Sequence, residues 1–172
     1  ANNTTAGNNN AFGYSALRFN TTGTANNAFG HSALYSNTTG NYNTAVGGTS
    51  LLNNTTGSYN TAVGYNSQYI STNATYNTST GATTLFDSTG SYNCAFGYSS
   101  LRYNTTGQNN SAYGYAALFL NTTGQQNAAF GYGASYANVV GDNNTAIGYN
   151  SLPRLQGAAN TALGAHAGVG IN

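Results

Sequence analysis

The chain has 172 residues and only five formally charged side chains, three Arg and two Asp, which give a net charge of +1. Three scattered Arg residues are too few for the basic surface that nucleic-acid binding requires, so no nucleic-acid partner is expected. No apolar run approaches the roughly 20 residues of a membrane-spanning helix, so no membrane span is expected either. A nearly neutral chain rich in Asn, Thr, Gly and Tyr favours thorough backbone pairing over disorder.

A short motif of Ala, a larger residue and Gly recurs along the chain. Its glycines are Gly13, Gly30, Gly47, Gly64, Gly81, Gly97, Gly114, Gly131, Gly148 and Gly164. We call these the repeat glycines, and successive ones are 16 or 17 residues apart. Such regular spacing predicts a tandem-repeat protein in which each copy forms one structural unit.

Each repeat contains the same predicted elements in the same order. It opens with an Asn four residues before the repeat glycine, and the motif of Ala, larger residue and Gly follows as a first predicted strand. A Leu usually stands four residues after the glycine, in a second predicted strand. Most copies then end in Asn-Thr-Thr-Gly, as at 20–23, which predicts a turn because Asn and Gly tolerate positive φ.

Seventeen residues are too few for two helices and a turn, but they suit two short strands and two turns. We therefore predict an all-β fold, a β-solenoid (parallel β-roll) of about ten 16–17-residue coils, with residues 1–172 as a single domain. Stacked coils align identical residues about 4.8 Å apart. The Ala and Leu columns, helped by the larger apolar column, are expected to fill a thin core.

Stacking also predicts ladders of polar and aromatic side chains. An Asn ladder is expected to pass amide hydrogen bonds from coil to coil. Its members are Asn26, Asn43, Asn60, Asn77, Asn93, Asn110, Asn127 and Asn144. Two Tyr columns are expected to form stripes of stacked rings. The first contains Tyr42, Tyr59, Tyr76 and Tyr92, and the second contains Tyr14, Tyr65, Tyr98, Tyr115, Tyr132 and Tyr149.

The unit Asn-Thr-Ala-(Phe/Val/Ile)-Gly-Tyr, seen at 60–65 and 144–149, resembles known fibre repeats. It is similar to head-domain repeats of trimeric autotransporter adhesins, which form a left-handed β-roll, and to Asn/Thr/Gly-rich repeats of bacteriophage tail fibres and other surface fibres. The resemblance covers nearly the whole chain, although the adhesin repeat is typically shorter. It implies an extracellular, cell-surface or virion-fibre location.

No catalytic, cofactor-binding or metal-binding residue is predicted, and the chain is not expected to be an enzyme. His31 and His166 stand in a column usually held by Tyr and have no nearby Cys, Asp or Glu partners. The single cysteine, Cys94, rules out an intrachain disulfide, and interchain pairing is the minor alternative to a small residue at a strand edge. Asp87 and Asp142 are too far apart in the repeat for an acid–base pair.

The Asn-X-Ser/Thr triplet recurs in register, which makes glycans candidate covalent partners. The candidate N-glycosylation sites, expected on an exposed turn, are Asn20, Asn37, Asn54, Asn104 and Asn121. Chance is the alternative explanation, since any chain rich in Asn and Thr contains such triplets.

Repetition without a singular site favours a structural function: a component of an extracellular filament, fibre or adhesin. The expected partner is the chain itself, as a homo-oligomer or a head-to-tail filament, and host-surface carbohydrate is a further expected partner. Two alternatives stay open. One is an ice-binding solenoid, whose Thr ladder would be Thr21, Thr38, Thr55, Thr105 and Thr122. The other is a carbohydrate-binding solenoid whose Tyr stripes stack on sugar rings.

Overall fold

The computed structural model describes residues 7–154 and 156–170, so residues 1–6, 155 and 171–172 of the predicted domain lie outside the described part. Every regular element among the described residues is a three-residue β-strand. The strands are β1 (Asn10–Phe12), β2 (Asn27–Phe29), β3 (Thr44–Val46), β4 (Thr61–Val63), β5 (Thr78–Thr80), β6 (Cys94–Phe96), β7 (Ser111–Tyr113), β8 (Ala128–Phe130), β9 (Thr145–Ile147) and β10 (Thr161–Leu163). The predicted all-β class is confirmed.

The ten strands form one parallel sheet in chain order, from β1 to β10. Identical repeat positions are partners: Ala28 pairs with Ala45, and Ala45 pairs with Ala62. One repeat therefore makes one coil, and the predicted β-solenoid is confirmed. With a strand spacing of about 4.8 Å, the nine steps between ten strands give a stack on the order of 43 Å long.

The segment around each Leu is not a second strand. Leu34 has φ 50° and Ser32, two residues earlier, has φ 55°, so both lie in the left-handed region. A parallel strand needs φ near −120°, and the prediction of two strands per coil is therefore wrong. The segment still joins the stack, because Leu34 N–H donates to Ser50 O at 3.0 Å and Ser32 N–H donates to Tyr14 O at 2.8 Å.

The repeat glycines are required by the close stacking of the coils. Gly30 has φ 142°, and a Cβ added there would lie 2.5 Å from the carbonyl oxygen of Gly47 in the next coil. A side chain at this position would collide with backbone that cannot move aside. The glycine thus permits both the unusual φ and the short distance between coils.

The core is a thin stack of Ala and Leu side chains. The middle residue of each strand from β2 to β10 is buried, and so is the Leu four residues after most repeat glycines. The larger residue that follows each Ala points outward instead: Phe29, Val46 and Phe130 are 43%, 39% and 39% exposed. The prediction that this column helps to fill the core is wrong. Alternation along a strand places Ala inside and both of its neighbours outside.

A polar segment divides this core into two apolar clusters, one from Ala16 to Ala62 and the other from Leu85 to Ala162. Between them, Gln68 takes the place of Leu, and Ser79 takes the place of the strand Ala; both are fully buried. Gln68 Nε2 donates to Ser79 Oγ at 2.8 Å. Gln68 Nε2 also donates to Thr61 O at 3.0 Å, whereas Gln68 Oε1 is buried without a partner. The two bonds from Nε2 reduce the cost of burying the amide group in the core.

Candidate functional surfaces

The Asn four residues before each repeat glycine belongs to one buried column. The predicted ladder members are at most 2% exposed: Asn26, Asn43, Asn60, Asn77, Asn93, Asn110, Asn127 and Asn144. Asn43 shows the recurring contacts: its Oδ1 accepts from Asn60 N–H at 3.0 Å, and its Nδ2 donates to Gly57 O at 2.8 Å. The bonds between coils thus run mainly from side chain to backbone. Each amide satisfies buried backbone groups at a corner of the coil.

A second buried Asn column contains the candidate glycosylation sites. Asn20, Asn37, Asn54, Asn104 and Asn121 are 0–1% exposed, so the expectation that they lie on an exposed turn is wrong. Asn37 Nδ2 donates to Asn20 Oδ1 at 2.8 Å and to Gly40 O at 3.0 Å. A glycan must be attached through this nitrogen, and the folded coil leaves no room for one. The turn folds inward because the Asn amide satisfies the backbone of its own turn.

In the Thr column proposed for ice binding, the hydroxyl groups donate hydrogen bonds to backbone carbonyl oxygens of the protein. Thr38 Oγ1 donates to Thr55 O at 3.0 Å, and Thr105 Oγ1 donates to Thr122 O at 3.0 Å. The same contact joins Thr21 to Thr38 and Thr122 to Val139. These hydroxyls keep lone pairs for water, but their donors are already bound to the next coil.

The two Tyr columns form stacked ladders where their rings are consecutive. Ring centroids are 4.9 Å apart for Tyr42–Tyr59 and 4.9 Å for Tyr59–Tyr76. In the second column, Tyr115 and Tyr132 stack at 4.9 Å. Rings stacked in this way cover each other's faces and present mainly their edges to solvent.

The second Tyr column has gaps and also holds both histidines. His31 stacks on Tyr14 at 5.4 Å, and His166 meets Tyr149 edge-on at 5.2 Å. Gly48 and Ala82 interrupt the column on either side of Tyr65, which is 61% exposed. Each histidine therefore acts as a ring of the ladder, and Tyr65 is a ring without a stacked aromatic neighbour.

The sequence analysis did not predict ring stacking in two further aromatic columns. On the strands, Phe96, Tyr113 and Phe130 stack with centroid distances of 4.9 and 4.8 Å. Five residues after the repeat glycines, Phe119 and Tyr136 stack at 5.0 Å. The signal was present in the aligned repeats, but the first column was assigned to the core and the second was not considered.

Arginine extends the second of these missed columns. Arg102 lies 5.3 Å from the ring centre of Phe86 and 5.4 Å from that of Tyr103. Arg18 is similarly placed, 5.5 Å from the ring centre of Phe19. Guanidinium groups at such distances pack favourably on ring faces, so these two charges are bound to the protein's own aromatic side chains.

The remaining chemically active groups do not converge on one place. Cys94 Sγ lies 3.2 Å from Tyr113 Oη, and this hydrogen bond, together with burial, raises the pKa of Tyr113. Burial raises the pKa of Asp87, although the nearby Arg102 opposes the shift. Asp142 Oδ1 accepts from Gln125 N–H at 2.7 Å. Among the described residues, no three His, Cys, Asp or Glu side chains are grouped to hold a metal ion.

Comparison with known proteins adds no relative: no family model, curated protein or solved structure matches the chain. Across residues 7–154 and 156–170, no helix is long and apolar enough to cross a membrane.

Proposed function

We propose that this chain is a structural segment of an extracellular filament, fibre or adhesin, in which stacked coils form a rod. The in-register stack carries the proposal. Every step from β1 to β10 pairs the same repeat positions, so each coil offers the next one an equivalent set of donors and acceptors. Such a stack can lengthen by adding coils without any change in its contacts.

The expected partner is more of the same structure. Further coils can come from a longer chain or from a second copy, because either would present the same backbone groups to the stack. A head-to-tail contact between copies is heterologous and produces an open filament when the rotation does not close. The surface location is supported by the resemblance of the repeat to surface-fibre repeats.

A structural function also agrees with how the charged groups are distributed. Catalysis requires unlike groups held together at one place. Here Arg18, Asp87 and Asp142 lie in different coils, and Arg18 packs on aromatic rings. We propose that the chain has no enzymatic activity.

The location can be tested with an antibody raised against the folded chain. Immunogold electron microscopy of the source cells or virions is expected to place the label along thin surface fibres. Label confined to the cell interior would contradict the extracellular proposal. Purified chain placed between two globular marker domains is expected to show the markers separated by a rod on the order of 43 Å long.

Carbohydrate binding is the second candidate, and one observation favours it. Tyr65 is 61% exposed between Gly48 and Ala82, so its ring face is available for stacking on a sugar. A glycan array should then give binding that Tyr65→Ala abolishes. Ice binding has weaker support because the Thr38 and Thr105 hydroxyls donate to the backbone. A measurement of thermal hysteresis separates it from the other two.

A further inference from the structure

We propose that two copies of this chain pair face to face through the outer side of the β-sheet. We call this side the strand face and define it by the first and third residues of the ten strands. The pairing extends the proposed fibre function, because it names a second copy of the chain as the lateral partner. Only its biological role rests on that proposed function. The stack itself, the charge pattern and the exposed area carry the physical argument.

The strand face carries no formal charge. The protein's charged side chains all lie outside the ten strands: Arg18, Asp87, Arg102, Asp142 and Arg154. Charged residues are depleted from the centres of protein interfaces, where aromatic side chains are enriched. A sheet surface on the order of 43 Å long without a charge is therefore suited to burial.

The exposed apolar area on this face approaches what a stable pair needs. Phe29, Phe130 and Ile147 are 43%, 39% and 41% exposed. A large side chain has about 150–250 Å² of surface, so each offers on the order of 60–100 Å². The third residues of β4 to β7 are less exposed than these, so the third residues of β2 to β9 together offer at most roughly 500 Å² per copy, or about 1,000 Å² for two copies, which is the lower size limit of a specific interface.

The shape of the face favours a second copy over an unrelated partner. Most strands present a small first residue and a large third residue, as in Thr44 with Val46 and Ala128 with Phe130. This arrangement makes a ridge beside a shallow groove along most of the stack. A second copy has the same coil spacing, so its ridge can enter the groove at every strand, as in dry interfaces between paired sheets.

Sedimentation velocity of the 172-residue chain over a concentration series tests the pairing. We expect a species of about twice 17.6 kDa. Contacts through the strand face should not produce any larger species. The variant Tyr113→Thr/Phe130→Thr should shift the chain to the single-copy mass. Thr80 occupies the same position in β5, so Thr is compatible with the fold.

The matched control is Phe119→Thr/Tyr136→Thr. It removes another stacked ring pair, and its second ring is as exposed as Phe130, at 39%. This control lies outside the strands and should keep the two-copy mass. A wild-type mass of one or three chains, or equal losses in both variants, would overturn the pairing. Circular dichroism identifies a variant that has simply unfolded, and single changes at Tyr113 and Phe130 then replace the double variant.

Cys94 provides an independent measurement of the geometry. It is the first residue of β6, close to the middle of the ten strands. In a fully overlapped pair, Cys94 faces β6 of the other copy if the two stacks are parallel and β5 if they are antiparallel. The two Cys94 residues are therefore offset along the stack axis by at most about one strand spacing. A short bismaleimide should therefore join two chains in the wild type and in the control, but not in the Tyr113→Thr/Phe130→Thr variant. A monomaleimide checks that the thiol still reacts.

The two proposals fail in different ways. Loss of the two-copy species with an intact rod in electron microscopy would refute the pairing and leave the fibre function standing. A stable pair in which the two marker domains of each chain are much closer together than about 43 Å would refute the rod. End-to-end stacking is recognised separately, because it gives masses that increase with concentration in both double variants.

Discussion

At the scale of the residue, buried asparagine side chains supply hydrogen bonds that join successive coils. Asn110 Oδ1 accepts from Asn127 N–H at 3.0 Å, and Asn110 Nδ2 donates to Gly124 O at 2.8 Å. Both partners are backbone groups of buried residues, and unsatisfied buried polar groups are costly. At the corner of the coil, the Asn side chain therefore satisfies backbone hydrogen-bonding groups, as the neighbouring strands do for each other within the sheet.

Replacing Asn110 with Ala should destabilise the protein strongly. Asn127 N–H loses its partner, at about 1–3 kcal/mol, and Gly124 O loses one of its two donors while keeping Asn121 Nδ2 at 2.9 Å, so the free energy of unfolding should fall by about 2–4 kcal/mol in urea denaturation. The control is the neighbouring Asn109→Ala, because Ala25 and Ala159 occupy the same repeat position with positive φ. A loss at Asn110 no larger than the loss at Asn109 would contradict the ladder's role.

Asp87 predicts a specific dependence of stability on pH. Burial raises its pKa in the folded state, so the folded protein binds the proton more tightly than the unfolded chain. The stability from this group is present at low pH and is lost as the pH rises through the folded pKa. Asp87→Asn should therefore raise Tm at pH 7 and raise it less at pH 3. A gain that is larger at pH 3 would contradict the assignment.

At the scale of the element, the Leu segment shows how a non-extended chain can still stack. The column four residues after the repeat glycines holds Leu, Gln, Ser and Gly at positive φ, as at Leu118 (φ 51°) and Ser135 (φ 49°). None of these residue types is β-branched, which agrees with the steric cost of β-branched side chains in the left-handed region. The apolar pattern of this segment does not show whether φ is positive or negative. For that reason the sequence analysis predicted a strand here.

Two substitutions at Leu118 distinguish this conformation from a strand. Leu118→Met keeps volume without β-branching and should cost less than about 1.5 kcal/mol. Leu118→Ile should cost about 1–2 kcal/mol more, because a β-branched residue is strained at φ 51°. Thermal or urea unfolding measures both variants. In a strand the order would tend to reverse, since β-branched residues favour extended backbone.

The second Asn column is interrupted at Ser71 and Ser88, and near Ser71 another residue compensates. Asn54 Oδ1 and Ser71 Oγ are buried without a hydrogen-bond partner. The turn that contains Ser71 has Ala74 where the preceding turn has Gly57. A Cβ at Gly57 would overlap both Ala74 O of the next coil and Asn54 Oδ1. At Ala74 the small Ser71 removes the second of these two contacts and so gives the methyl group more room.

This pairing predicts strongly non-additive changes. Ser71→Asn alone should destabilise the protein by about 1–3 kcal/mol through overpacking against Ala74. With Ala74→Gly also present, the new amide can donate to Asn54 Oδ1, and the same Ser71→Asn change should become neutral or stabilising. A double-mutant cycle by urea unfolding should give a coupling of about 1–3 kcal/mol. Simple additivity would contradict the compensation.

At the scale of the whole molecule, the regular spacing of the repeat glycines was enough to predict the solenoid. The spacing predicts one coil per repeat, and the short segments predict strands. It could not show which side of the coil each column faces. Phe29 and Val46 were assigned to the core because they are apolar, yet strand alternation turns them outward. Asn37 and Asn54 were placed on the surface because they open a turn that was expected to be exposed, yet the turn buries their side chains.

The same limit explains the divided core. Gln68 and Ser79 interrupt the apolar columns in neighbouring coils, and only the structure shows that they meet at 2.8 Å. Sequence alignment alone presents them as two unrelated exceptions. These two polar side chains lie in contact between the two apolar clusters of the core.

The central claim is that each repeat advances the chain by one strand spacing along a single axis. Double electron–electron resonance tests it with spin labels on exposed Thr positions outside the strands, in a Cys94→Thr background diluted with unlabelled chain. Labels at Thr39 and Thr106, four coils apart, should give about 19 Å, and labels at Thr22 and Thr123, six coils apart, should give about 29 Å. Distances that do not increase in proportion to the number of coils would contradict the solenoid.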